Sequence, residues 1–386
     1  MAQCLDVINI RGFMQLIKKH SGLFIGIVMG LYIVACAPVN FERNIKCGVG
    51  CVGISGNKVN YSELTTFGGG KVDILLVDDN SASMSTEQKA MANRMGNFLS
   101  VLDAAQVDYR IAITTTDVSA TVGNGPRPIN QNGALQDGKL ITFGDGSRYI
   151  TPQSANKLTL FSNDIVRQET LSCESNLAAH PMISSQIEYD GYCPSADERG
   201  VYAANLTIQN NSSGFVRSDA ALAIVFLSDE DVRSGFYATR SDYPLDTNDQ
   251  PQTLINNIQN IYAGKNFVAH SIIVKPNDSA CLQIQRSQPN SVSGSYGQKY
   301  AEASNLTGGV VGDICASDYG SQLSAIGTQV TRQTNSVVLQ CSNPQSLVVT
   351  VNGTISTAYQ VVGTQVQFNQ ILPAGTTIKA EYSCLQ

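Results

Sequence analysis

Two runs of the chain, "DILLV" (73–77) and "ALAIVFL" (221–227), are apolar from end to end, without the polar alternation of a half-exposed strand. A strand of that kind is covered on both faces, which places it in the middle of a parallel sheet with helices above and below. The segments between the apolar runs agree. Behind "DILLV", Met91, Met95, Phe98, Leu99 and Leu102 fall at helical intervals, and Ser85 and Gln88 stand in capping-box spacing. "YRIAITTTD" (109–117), "FVAHSIIV" (267–274) and "GGVVGDIC" (308–315) read as further strands. "GVYAANLTIQN" (200–210), "TLINNIQNIY", "QKYAEASNL" and "DYGSQLSAIGTQV" read as helices. Between them, residues 118–198 are rich in Gly, Asn, Pro and Ser, with a hairpin expected at "KLITFGDGSRYIT". The alternation predicts a Rossmann-like α/β domain over residues 68–335, a mostly parallel central sheet flanked by helices.

From about residue 336 the pattern changes to short alternating runs separated by "NG" and "PAG" turns, a small C-terminal antiparallel β module over 336–386. At the other end, Arg11, Lys18, Lys19 and His20 precede the apolar stretch "LFIGIVMGLYIVA", which ends at Cys36. That is the layout of an export signal, and it is too short to span a bilayer comfortably. A start at Met14 would leave a more ordinary signal. "IVAC" resembles a bacterial lipobox, which implies cleavage before Cys36, acylation of that residue and a membrane-bound lipoprotein. Ala37 and Pro38 then stand where an inner-membrane retention signal has Asp, so the resemblance implies the outer membrane, on its surface or periplasmic face. The resemblance thus implies a lipoprotein signal peptide over residues 1–35 and a lipidated tether over 36–67.

Apart from Cys4 and Cys36, eight cysteines remain, an even number in an exported chain. Proximity suggests the pairs Cys47–Cys51, Cys173–Cys193, Cys281–Cys315 and Cys341–Cys384. Finger-like spacing at Cys47 and Cys51 raises zinc, but three histidines and no second close Cys pair argue against it. A net charge of −6 offers no basic face to a phosphate backbone, which excludes nucleic acid as a partner.

"DNSASM" (79–84) sits where the first apolar strand hands over to its helix, and "SDED" ends the second. In a doubly wound sheet, ligands sit at the carboxyl ends of strands. Asp79, Ser81 and Ser83 therefore turn one carboxylate and two hydroxyls towards a point that Asp229 also reaches. An oxygen-only set suits a hard divalent cation, Mg2+ first, with Mn2+ or Ca2+ as alternatives. Few direct carboxylates leave such an ion electrophilic, able to accept an Asp or Glu carboxylate from another protein. The plainer reading is that Asp79 and the serines cap the following helix. Asp78, Glu230 and Asp231 read as solvated acids at strand ends.

The arrangement resembles the von Willebrand factor A (vWA) domain, whose metal-ion-dependent adhesion site (MIDAS) carries the D-x-S-x-S signature seen here as Asp79, Ser81 and Ser83, with the second acidic ligand on Asp229. With the lipobox, "FLSDED" and "TGGVVGDIC", the chain looks like secreted A-domain lipoproteins of Gram-negative bacteria, including the adhesion-site family of predatory species. The resemblance implies a surface adhesin, anchored through lipid, that docks an acidic residue of a partner protein. One position departs from the pattern: the family's Thr ligand falls in "CPSADERGVYAA", where there is no Thr. Glu198 or Ser195 can supply the oxygen instead, ahead of Thr115 and Thr116, and a Glu there adds negative charge that weakens the pull on an acidic ligand. A scaffold lipoprotein with a purely structural or degenerate metal site is the competing reading. His180 and His270 belong to no nucleophile, base and orienter set, so no enzyme is expected.

Overall fold

A strand of eight residues runs through the centre of a parallel sheet when mostly apolar layers cover both its faces, and Lys71–Asp78 and Ala221–Ser228 are two such strands. The structure, a computed structural model, describes residues 50–66, 70–118, 136–182, 188–189, 191–194, 197–241, 243–288, 294–334, 336–370, 372–373 and 375–385. Its central sheet holds β3 (Lys71–Asp78), β4 (Asp108–Thr115), β5 (Ala221–Ser228), β6 (Phe267–Ile273) and β7 (Val311–Asp313), all parallel, in the order β4-β3-β5-β6-β7. Helices cover both faces. Ile74 and Leu76 of β3 pack with Met91, Met95 and Phe98 of α1 (Ser85–Ala104) and with Leu323 and Ile326 of α8 (Gly320–Gln333). Leu75 and Val77 point the other way, towards Val201 of α4 (Gly200–Asn210), Leu254 of α5 (Pro251–Ile261) and Tyr300 of α7 (Gln298–Thr307). The doubly wound architecture read from the sequence is present. β7 is shorter than its apolar run, because only Val311–Asp313 pair with β6.

The expected hairpin at 139–151 has its turn but not its ladder. Phe143 donates its N–H to the Ser147 carbonyl at 2.8 Å, yet the two arms lie separately against β4, through Ile141 to Ile113 and the bridge of Ile150 with Ile111. Among the described residues, three further α-helices appear that the sequence pattern does not announce: α2 (Lys157–Ile165), α3 (Gln168–Ala179) and α6 (Ser279–Arg286).

The tether reading is corrected for its second half. β1 (Cys51–Ser55) and β2 (Lys58–Thr66) form a hairpin, and β2 pairs along its full length with β13 (Thr377–Leu385). Together with β9 (Gln345–Val351) and β10 (Thr354–Ile355) they make a five-stranded antiparallel sheet, beside a three-stranded one of β11 (Tyr359–Val362), β12 (Gln365–Phe368) and β8 (Ser336–Val338). Val349, Val366, Ile378 and Tyr382 fill the space between, closed by the Cys341–Cys384 disulfide. The C-terminal module is therefore completed by residues 51–66. Cys173–Cys193 and Cys281–Cys315 are also formed as expected. The signal segment, Cys36, Cys47 and Ser195 lie outside the described residues. Among the described residues no helix is long and apolar enough to cross a membrane.

Two measurements check this arrangement. A tether residue would tolerate truncation, whereas Val59→Ala removes a fully buried β2 side chain and should cost on the order of 2 kcal/mol in urea unfolding. His270 is buried in β6, accepts the Val310 N–H at Nδ1, and is pushed down to about 3 by burial. The folded chain thus refuses a proton that the unfolded chain takes up near pH 6.5, and stability is lost as pH falls from there towards 3. His270→Asn, which keeps an acceptor but does not titrate, should move the acid unfolding midpoint to lower pH.

Candidate metal centre

The chain winds from β3 outward to β4 on one side and to β5 on the other, so the order reverses between β3 and β5 and leaves a crevice at their carboxyl ends. Asp79 and Asp229 stand there. The Asp79 N–H donates to the Leu227 carbonyl at 3.0 Å, extending the ladder by one bond past β3, and its Oδ2 accepts the Ser228 hydroxyl at 2.6 Å. Its Oδ1 accepts the Ser81 N–H at 2.9 Å. A short 3-10 turn, Ala82–Met84, then brings Ser81 Oγ to 3.1 Å from Ser83 Oγ, which donates to Asp229 Oδ1 at 3.1 Å. Four of the expected oxygen donors are thereby drawn into one hydrogen-bonded chain.

The capping reading does not hold: α1 begins behind Met84 with no side-chain cap, and Ser85 and Gln88 form no capping box. Gln88 does something else. Its Nε2 donates to Asp78 Oδ2, to the Asp79 carbonyl and to Thr170 Oγ1, while its Oε1 accepts the Arg167 N–H at 3.0 Å. Thr170 in turn donates to the Asn80 carbonyl at 2.9 Å, so the start of α3 is latched onto the loop. Ala82 packs against Cys173 and Cys193, with Tyr189 and Tyr192 beside them. This disulfide-stapled segment caps the centre, and none of Asp79, Ser81, Ser83, Glu198 or Asp229 is more than 8% exposed.

Glu198 reaches the same region from the loop before α4. Its backbone is left-handed at φ 42°, a conformation a non-glycine residue holds only when its surroundings fix it. They do. The Tyr300 hydroxyl donates to the Glu198 carbonyl, the Arg199 N–H donates to the Thr116 carbonyl at 3.1 Å, and the Arg199 guanidinium is clamped by Asp249 and Asp246 over the Tyr202 ring. Gly200 is required because a Cβ there would lie 2.9 Å from the Tyr300 hydroxyl. The Glu198 side chain accepts the Ser234 hydroxyl at 2.8 Å. Thr115 and Thr116 are buried at the neighbouring strand end with no hydrogen-bond partner for either hydroxyl.

Asp78, Glu230 and Asp231, expected to be solvated, are buried as well. Asp231 instead accepts the Lys299 N–H at the start of α7 and the Tyr237 hydroxyl. Burial pushes Asp79 up to about 6 despite the Ser228 hydroxyl. Burial first, then Glu230 and Asp79, push Glu198 well above the usual carboxylate range, and burial with Asp79 and Glu230 does the same to Asp229. Like charges crowded out of water favour protons or a cation. Asp229 Oδ2 and Glu198 Oε1 are buried with no hydrogen-bond donor, as ligand atoms awaiting a metal would be. Asp79, Ser81, Ser83 and Asp229 thus fit a hard divalent ion. Elsewhere, Cys281, Asp313 and Cys315 place three donor atoms within 4.8 Å of one another, but both sulfurs are bonded to each other and offer no thiolate.

Fold and site together define a Rossmann-like α/β protein with a buried acidic centre at its switch point. No family model and no curated protein sequence matches the chain. Among solved structures it is similar to the pilus adhesin SpaC from Lactobacillus rhamnosus GG, at 12% identity and a TM-score of 0.36, over 85% of this chain and 43% of that one. It is also similar to proximal thread matrix protein 1 of the mussel byssus, at 10% and 0.31 over 73% and 52%, and to the Streptococcus pneumoniae pilus adhesin RrgA, at 8% and 0.26 over 86% and 60%. Superpositions of this quality carry no functional argument.

The repulsion in the centre has a measurable sign. The folded chain keeps protons on these carboxyls that the unfolded chain gives up above about pH 4, so metal-free stability falls as pH rises. Asp229→Asn should therefore raise the melting temperature in EDTA, by more at pH 8 than at pH 5, while reducing the rise that added Mg2+ produces in the parent.

Proposed function

We propose that the chain is a divalent-metal-dependent binding module of the vWA type, an adhesin-like protein carried on a lipid anchor at Cys36. The observation that carries this reading is the linkage of Asp79, Ser81, Ser83 and Asp229 through hydrogen bonds across the β3/β5 crevice, with Asp229 Oδ2 left without a donor. A cation bound among these oxygens, Mg2+ by preference, would act as a Lewis acid towards a carboxylate of a partner protein. Ser228 and the Leu227 carbonyl hold Asp79 in place, and Gln88 fixes the loop from below. The cap of α3 and the Cys173–Cys193 disulfide keeps water and indiscriminate ligands away, and an incoming acidic side chain has to pass beside it.

A scaffold role with a structural metal is the second reading, favoured by one observation, the burial of every site residue. The two separate in a simple comparison. Isothermal titration of the full chain in detergent with Mg2+, Mn2+ and Ca2+ should show binding that Asp79→Ala abolishes. Cells displaying the chain should attach to a partner-bearing surface in Mg2+ and lose that attachment both in EDTA and with Asp79→Ala. Attachment indifferent to both treatments would leave the scaffold reading standing.

A further inference from the structure

We propose that the outer face of the five-stranded sheet in the C-terminal module rests on a lipid surface, the membrane in which the chain itself is anchored. The proposal rests on the lipid-anchor part of the reading above and leaves the metal centre aside. Antiparallel register decides which side chains share that face. Ile378, Ala380, Tyr382 and Cys384 of β13 fill the core of the module, so the residues between them point outward. Leu64 of β2, Lys379 of β13, Thr350 of β9 and Ile355 of β10 are register partners in one row across four strands, with Val348 opposite Glu381 in the next row and Leu385 opposite Lys58 at the end. Leu64 and Ile355 are each 70% exposed, and Val348 and Leu385 are exposed as well.

Single exposed aliphatic residues need no explanation, but several on one sheet face mark a contact surface. Of the fourteen large apolar side chains exposed among the described residues, eight lie in 51–66 and 336–385, a far smaller part of the chain than the α/β domain. The exposure therefore belongs to this module. Lys58 and Lys379 stand among these side chains, with Glu381 paired to Lys379 at 2.8 Å, in a chain whose net charge is −6. Protein interfaces are depleted in Lys, whereas at a bilayer the lysine stem lies on apolar surface and its ammonium stays among the headgroups. What covers the face follows from where the chain enters it. β1, the edge strand beside β2, begins at Cys51, fifteen residues after Cys36 and the apolar stretch 23–35. Even fully extended, fifteen residues reach only about 50 Å, so the anchor holds the sheet close to the bilayer and a modest apolar contact suffices. The Asp79 and Asp229 crevice lies at the carboxyl ends of the central strands, whereas the module joins them at their amino ends, through β2 into β3 and through Gln365, which donates to Asn266 Oδ1 at 2.7 Å. A lipid contact there leaves the crevice to a partner.

The chain has no tryptophan, so one introduced on this face reports alone. The full chain carrying Leu64→Trp or Ile355→Trp, expressed with its own signal in a Gram-negative host and purified in detergent, is reconstituted in vesicles of phosphatidylethanolamine and phosphatidylglycerol whose acyl chains carry bromine, a contact quencher. Emission at both positions should shift to the blue and be mostly lost, while Met182→Trp just beyond α3, at a side chain 87% exposed, should keep its emission. Emission at 64 and 355 as strong as at 182, in a chain that floats with the vesicles, would overturn the lipid contact and leave the anchor standing. A chain that does not float overturns both. A blue shift without quenching, accompanied by a dimer in sedimentation, would give the face to a second copy of the chain and likewise overturn the proposal.

Discussion

The pairing of β3 with β5 is the contact on which the rest depends. Seven register pairs, from Val72 with Ala221 to Asp78 with Leu227, set two fully buried strands side by side, and the Asp79 N–H adds one more bond to the Leu227 carbonyl. Register in a buried sheet is strongly specified, since a slip by one residue would turn Ile74, Leu76, Ala223 and Val225 out of the core they fill. Because register is fixed, the residues just past the two strand ends are fixed relative to each other. Asp79, Ser228 and Asp229 come together as a consequence of apolar packing one layer below.

That arrangement is unfavourable without a cation. Buried carboxylates that feel one another are retained against folding stability. Fold stability comes from the two apolar clusters on the faces of the sheet, which are large enough to tolerate a strained polar layer at one edge. Sites of this kind are where local rules are broken for a purpose. The left-handed Glu198 and the Arg233–Ser234–Gly235 run are two such breaks, and both face the same acids.

Most of the α/β architecture was legible because its signals are local: apolar runs, helical spacing, turn residues. Asp79, Ser81, Ser83 and Asp229 were legible for the same reason, since each follows a strand that could be read. What escaped depends on distant partners. β2 reads as "KVNYSELTT", polar enough for a tether, and it is a strand because β13 lies alongside it from the other end of the chain. Glu230 and Asp78 look like ordinary exposed acids until the stapled cap is placed over them, and nothing in their neighbourhood announces α3. Gln88 shows the reverse error. Its spacing from Ser85 suggested a cap, but the carboxyl end of β3 offered its amide better partners than the helix terminus did.

β2 continues through a few residues into β3, and β3 ends at the Asp79 loop, so the N-terminal hairpin and the metal loop are connected in series. A load drawn along β2 runs parallel to its own axis. There it meets nine register pairs with β13, all loaded sideways and together, since none can open before its neighbours. A strand held this way resists sliding far better than one peeled from its end.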